Sequence, residues 1–279
     1  MKALIVTADD FGLASEVNEA VELAHTRGIL TAASLMVRGT AVDDAVERAR
    51  RLPSLRIGLH LVLCDGRPVL PPAAIPDLVD ARGNLRIDMM TLGVEIFVRS
   101  KVRKQLAAEM DAQFAAYRAT GLPLDHVNTH HHFHVHPTIA GLIFNIGQRY
   151  GMRAVRVPLE PPRMLNRIEP SASPDRVTRT FAALLGRRVR RRRLMAPDQV
   201  FGIAWSGAMT ERRVAALLRD LPDGITEMYL HPATANSFSG ANEGYRYTDE
   251  LDALMAPEVR EGVHSTAAST GGFADVAVA

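Results

Sequence analysis

The chain has 279 residues, 47% apolar and 23% charged, with a formal net charge of +2 and one cysteine. This composition excludes a disordered chain and an internal disulfide framework, and no run approaches the roughly eighteen apolar residues of a membrane span. It suits a large α/β protein in a reducing compartment, and Met1 runs straight into a strand-like segment, which predicts a cytoplasmic chain without a signal peptide.

In chain order, strand and helix signals alternate. Residues 3–8 form a short apolar run that predicts a buried strand. Ser15 reads as an N-cap, with Glu16 and Glu19 in the following turn and Gly28 as the stop. A second strand is predicted over 30–37, a helix over 41–52 ended by Pro53, and a third strand over 55–63 carrying His60. An irregular stretch rich in proline and glycine covers 65–84, a candidate lid or dimer contact. A long amphipathic helix over 101–120 is closed by Gly121, and a fourth strand follows over 124–129. Pro137 opens a helix reaching Tyr150, with Gly151 as its stop. Short strands are predicted over 154–157, 200–204 and 225–230, with helices over 210–218 and 248–255. A second excursion, 158–197, separates the first two of these strands.

Six or seven strands alternating with helices imply a parallel sheet, and no repeat or linker divides the chain. The expected organisation is one domain over 1–262 and a small, polar tail or edge strand over 263–279.

The polar residues fall where such a sheet does chemistry. Five of the ten histidines, His130, His131, His132, His134 and His136, lie within seven positions at the end of the fourth strand, with His126 just upstream. Asp9 and Asp10 follow the first strand, His60 is near the end of the third, and Glu227 and His231 lie in and just past the last. The C-terminal edge of a parallel sheet is where active sites assemble. One aspartate and two histidines from separate strand ends make a facial set of metal ligands that leaves positions open for water and substrate. A divalent ion there makes water acidic and polarises a carbonyl. Of two adjacent carboxylates, one can hold the ion while the other takes the proton of the attacking water. Zinc, manganese, cobalt or nickel suit such a set, and magnesium suits it with more waters. Cys64 reads as a small buried thiol.

Four ordered motifs carry a family resemblance: Thr7-Ala8-Asp9-Asp10-Phe11-Gly12, Gly58-Leu59-His60, Val127-Asn128-Thr129-His130-His131-His132-Phe133-His134, and Glu227-Met228-Tyr229-Leu230-His231-Pro232. Together they resemble the YdjC/ChbG family of carbohydrate deacetylases over roughly residues 2–254. The stretch Val200-Phe201-Gly202-Ile203-Ala204-Trp205-Ser206-Gly207 further looks like the hopanoid-biosynthesis branch called HpnK. The resemblance implies a distorted (β/α) barrel, TIM-barrel-like and of the polysaccharide-deacetylase type. It also implies one divalent ion, zinc or magnesium first, on Asp10, His60 and His130, and removal of an N-acetyl group from an amino sugar. By the same analogy Asp9 is the base, and His231, or alternatively Glu227, is the acid. Arg156 is expected at a sugar hydroxyl or oxyanion, or else in a surface ion pair. Trp205 is expected against a sugar ring or in the core, and His132 or His134 behind the ligands.

The branch resemblance implies an N-acetylglucosaminyl hopanoid, a sugar carried on a rigid lipid; the wider family implies a soluble chito-oligosaccharide. Arg187, Arg188, Arg190, Arg191, Arg192 and Arg193 put six charges within seven positions, and the remainder of the chain carries −4 without them. A basic helix on anionic lipid, where each charge contributes about 1 kcal/mol, fits the lipid-linked substrate. A nucleic-acid contact or a solvated helix face are the other readings. A different ester or amide substrate, or a non-catalytic module that binds metal or lipid, are the competing functions.

Overall fold

The structure is a computed structural model that describes residues 2–170 and 176–277. Seven strands form among them: β1 (Lys2–Phe11), β2 (Ala32–Leu35), β3 (Arg56–Leu61), β4 (Val127–Thr129), β5 (Gln199–Phe201), β6 (Gly224–Leu230) and β7 (Ser269–Thr270). Six follow the order β4-β3-β2-β1-β6-β5, all pairs parallel, and β7 joins the start of β1. The sheet curls into a half-barrel with helices packed outside it, the α/β architecture expected.

β1 sits at the centre because it is apolar without alternation: residues 3–11 are all buried, as in a strand covered on both faces. It runs three residues further than its apolar stretch predicts, so Asp9 and Asp10 belong to the strand itself. The strand predicted over 154–157 is reduced to two bridges, Val127 with Val155 and Ala154 with Met195. Pro158 has no N–H with which to extend a ladder. The segment still spans the open side of the sheet, because the Val200 N–H donates to the Leu159 carbonyl at 3.0 Å.

The Val42–Arg51 helix buries Ala45, Val46 and Ala49, the face predicted by its spacing. Ser15 is the first residue of the Ser15–Arg27 helix and not its cap, which is Ala14. A helix over Met89–Val98 has no counterpart in the expected elements. It is apolar on nearly every side and therefore shows no amphipathic period. Asp88 starts it by accepting the Thr91 N–H at 3.1 Å, and Leu92, Gly93 and Ile96 are its buried residues. Ile87, Met90, Val94, Phe97 and Val98 are left exposed.

The second excursion contains helices Pro162–Ile168 and Arg176–Arg191; its residues 171–175 lie outside the described ones. Past Ser265, β7 pairs with β1 and the helix Phe273–Val276 follows, with Phe273 fully buried beside Ala3, Ile5 and Ala32. Residues 278–279 of the expected tail also lie outside the description. Cys64 is buried, its thiol pushed up to about 12 by that burial and by Asp65. Among the described residues no helix is long and apolar enough to cross a membrane.

Candidate metal centre and active site

The two aspartates reach one site through a bulge. Ala8 pairs with Ala33 but Phe11 pairs with Leu35, so one extra residue is accommodated at Asp9–Asp10. Asp10 takes φ 62°, a left-handed conformation that aspartate tolerates better than bulkier residues. The usual alternation of a strand is thereby broken, and both carboxylates face the groups at the ends of β3 and β4.

Asp10 Oδ1 lies 3.2 Å from His60 Nε2 and 3.2 Å from His130 Nδ1, and the two histidine nitrogens are 3.3 Å apart. Ligands about 2.1 Å from one ion are separated by ~3.0 Å in octahedral and ~3.4 Å in tetrahedral geometry. The triangle falls between these values. All three residues are buried, and neither oxygen of Asp10 has a hydrogen-bond partner. Burial opposes ionisation of Asp10, but His130 and His60 hold its carboxyl well below the usual carboxylate range. A naked carboxylate facing two imidazole nitrogens fits a divalent cation. A second group, Asp65, His130 and His131, is less suited. His131 Nε2 and Asp65 Oδ2 already pair at 3.2 Å near the surface.

Asp9 is held differently. Its Oδ1 accepts from Asn128 Nδ2 at 3.0 Å and Arg156 Nη2 at 3.1 Å, and its Oδ2 accepts from Arg156 Nη1 at 2.5 Å. Burial raises its pKa, but the Arg156 guanidinium outweighs that and keeps Asp9 ionised far below neutrality. Arg156 is wholly buried, with Nε and Nη2 on Glu227 and its guanidinium 4.5 Å from the Tyr229 ring centre. It therefore forms a buried ion pair in place of the surface pair that was one expectation, and it clamps Asp9. Glu227 Oε1 accepts from Arg156 and from the Thr7 hydroxyl, the latter at 2.8 Å, and the residue is fully buried behind the site. Its oxygens are committed to Arg156 and Thr7.

A cavity of about 220 Å³ opens over these groups, lined by Asp9, His60, His130, His132, Tyr229 and His231, with Ser206 and Tyr245 at its edge. His131 and His132 take φ 55° and 53°, so the turn after β4 fans successive rings apart. His130 points at Asp10, His131 at Asp65 and His132 at the Tyr229 hydroxyl, the last at 2.9 Å. His134 folds back under the turn, bonded to Thr129 Oγ1 at 2.7 Å and to the Arg156 carbonyl at 2.9 Å. Burial pulls its pKa down to about 3, so it is a neutral strut. His231 lines the cavity just past β6, the neighbour of β1, with Nδ1 unpartnered, and burial lowers its pKa too.

Trp205 is 4% exposed, gives its indole N–H to Glu169 at 3.1 Å, and packs under the Arg213 guanidinium. These surroundings are those of the core alternative. Trp205→Ala is expected to cost about 3–5 kcal/mol of stability in urea unfolding. The variant's KM, measured below its unfolding midpoint, should match the wild type.

Three site residues escaped the sequence reading. Asn128 sits inside the histidine motif, yet nothing in a strand residue's type announces that it faces Asp9. Glu160 accepts the backbone N–H groups of Gly202, Ile203 and Ala204 at 2.9–3.1 Å and so shapes the loop that carries Ser206. Glu250 accepts those of Met209 and His231, and only the tertiary fold shows that this helix residue is buried. Burial raises both carboxyls to about 7. A buried acid with a raised pKa holds its proton where the unfolded chain has released it. Stability therefore falls as pH rises from about 4.5 to about 7 and then levels, by up to about 3 kcal/mol per group. Glu250→Gln is expected to remove its share of that slope in urea unfolding at pH 5, 6 and 7.5.

The arginine run closes the Arg176–Arg191 helix and the turn after it, with all but Arg188 exposed. Arg188 donates to the Pro137 carbonyl at 2.5 Å, and Arg188 and Arg192 both lie over the Phe144 ring. No carboxylate pairs with any of the six among the described residues.

Fold and site together define a curled (β/α) half-barrel with a candidate divalent-metal centre at the C-terminal edge of its sheet. The chain belongs to the YdjC-like protein family, whose model matches residues 3–265. It is 29% identical over 264 residues to a carbohydrate deacetylase of Brevibacillus brevis, covering 94% of each chain. It is 30% identical over 284 residues to a carbohydrate deacetylase of Mus musculus, covering 92% of this chain and 89% of that one. A chitooligosaccharide deacetylase of Serratia marcescens is 34% identical over 156 residues, 54% of this chain and 58% of its own. In fold, the chain matches the crystal structure of an Enterococcus faecalis protein named for cellobiose-phosphate cleavage. The TM-score is 0.78 at 24% identity, covering 99% and 98% of the two chains.

Proposed function

We propose that this protein is a metal-dependent carbohydrate N-deacetylase, which hydrolyses the acetamide of an amino sugar to acetate and a free amine. The observation that carries the proposal is the buried Asp10–His60–His130 triangle beside a separately held carboxylate, Asp9, in a chain whose relatives are carbohydrate deacetylases. A divalent ion bound by the triad would polarise the acetyl carbonyl and make a water acidic. Asp9, fixed by Arg156 and Asn128, accepts the proton that this water loses as its oxygen attacks the carbonyl carbon. His231, just past β6, delivers a proton to the departing nitrogen when the C–N bond breaks. Its lowered pKa makes the charged ring a stronger donor. His132, hydrogen-bonded to Tyr229, and His134 brace the turn that carries His130. We take the domain to comprise 1–262, with 263–279 as its C-terminal edge.

The substrate we propose is an N-acetylglucosaminyl hopanoid, which would place the chain in the HpnK branch. Support comes from two surfaces on the histidine turn. Arg188 anchors the exposed arginines at Pro137, and Gly93 of the apolar Met89–Val98 helix faces His136 and Phe133. Exposed apolar groups and clustered cations, each on an element packed against that turn, suit contact with an anionic bilayer. The name of the Serratia relative favours a second reading, a soluble chito-oligosaccharide.

Acetate release from N-acetylglucosaminyl hopanoid and from N,N′-diacetylchitobiose, with and without chelator, separates these readings. Release from the lipid, abolished by chelator, supports the proposal. Release from chitobiose alone moves the substrate to the soluble class, and no release from either substrate overturns the deacetylase reading.

A further inference from the structure

Beneath the catalytic groups runs a buried hydrogen-bonded chain that neither binds the ion nor lines the cavity. Asp125 Oδ2 lies 2.9 Å from His126 Nδ1, His126 Nε2 lies 3.0 Å from Ser34 Oγ, and Ser34 Oγ accepts from Asn128 Nδ2 at 3.0 Å. Asn128 then gives its other N–H to Asp9 Oδ1, while its Oδ1 lies 2.7 Å from His60 Nδ1. His126, Ser34 and Asn128 are fully buried, and every one of these polar atoms has a partner. The far end is tied to the C-terminal segment. Asp125 accepts the N–H groups of Phe273 and Ala274, and the Phe273 ring stacks on His126 at 4.1 Å.

The order of protons along this chain is determined by its ends. The Asp125 carboxylate only accepts, so His126 carries a proton on Nδ1. His126 Nε2 then accepts from the Ser34 hydroxyl, which leaves Ser34 Oγ to accept from Asn128. Asp9 also only accepts, so both N–H bonds of Asn128 are spoken for and its oxygen must face His60. An oxygen there requires a proton on His60 Nδ1, and that leaves the lone pair of Nε2 directed at Asp10 and His130. Flipping the amide would set its oxygen against the Asp9 carboxylate and put the His60 proton on Nε2, where no metal can bind.

We infer that His126 and Ser34 are positioning residues which, through Asn128, hold His60 in its metal-binding tautomer and tie that tautomer to the C-terminal segment. Gly58 is part of the same device. A Cβ at that position would come within 2.5 Å of the His126 ring, so only glycine leaves room for the ring against β3. This explains the glycine two residues before His60 in terms of His126 and not of backbone conformation. The inference rests on the metal reading of Asp10, His60 and His130, and it does not depend on the substrate.

The test uses full-length wild type, Ser34→Ala and His126→Phe, the last keeping a ring to stack on Phe273. Nitrogen NMR shifts of the metal-free proteins report the His60 tautomer, and chelator competition reports the affinity for Zn²⁺. The wild type is expected to show a hydrogen-bonded proton on His60 Nδ1. Both variants should show a mixture of tautomers and bind Zn²⁺ about 10–100-fold more weakly, the usual effect of losing an outer hydrogen-bond partner. A merely structural role would lower thermal stability and leave both readouts unchanged, and that result overturns the inference. Should His126→Phe fail to fold, Ser34→Ala alone decides. Neither measurement involves a substrate, so a failure to release acetate would count against the proposed function and not against this chain of bonds.

Discussion

Asp9→Asn is expected to keep one divalent ion per chain and to lower the rate of acetate release by about 10²- to 10⁴-fold, the usual contribution of a general base. The reason is the division of labour at the β1 bulge. Asp10 faces the two histidine nitrogens with both oxygens unpartnered, whereas Asp9 is turned into the cavity wall and held by Arg156 and Asn128. Removing a ligand has the opposite signature. His60→Ala or His130→Ala leaves two of the three proposed ligands, and both variants should lose the ion together with activity. Metal content after dialysis and acetate release are measured on the same samples. A fully active Asp9→Asn would exclude Asp9 as the base, and a His130→Ala that retained stoichiometric metal would dissolve the triad.

The second large effect is on stability. Arg156 has no exposed surface and is the cation between Asp9 and Glu227, both buried. Arg156→Leu removes that cation and leaves two carboxylates facing each other without water. Breaking a buried pair from one side costs about 3–5 kcal/mol, because the remaining charge is uncompensated. The expected result is a drop of that size in the free energy of urea unfolding. The pKa of Asp9 should rise towards the ordinary range, since the group that depresses it most is gone. Glu227→Gln should cost less, because Asp9 still pairs with Arg156 in that variant. A stability loss for Arg156→Leu no larger than that for an exposed arginine such as Arg187 would contradict the buried-clamp description.

Much of this was legible in the chain. The apolar run of β1, the buried face of the Val42–Arg51 helix and the proline that opens the Pro137–Arg149 helix all follow from local pattern. Placing Asp10, His60 and His130 at three strand ends required only strand order and the side of the sheet on which loops leave. What the chain did not show was the surroundings of single residues. An arginine after a strand and a lone tryptophan suggest substrate contacts, yet Arg156 faces inward onto carboxylates and Trp205 is packed under Arg213. The Met89–Val98 helix went unpredicted because a segment apolar all round carries no period to detect.

Local sequence by itself determined most of the succession of strands and helices and the kinds of side chain delivered to one edge of the sheet, because both depend on short-range pattern. Which of two adjacent aspartates faces the histidines, and which faces an arginine more than a hundred residues away, was decided only in three dimensions. A single-residue bulge in β1 and left-handed turns at Asp10, His131 and His132 set those directions. A strand's alternation is a rule of the backbone, and it is suspended where neighbouring strands fall out of register; that register exists only once the sheet has formed.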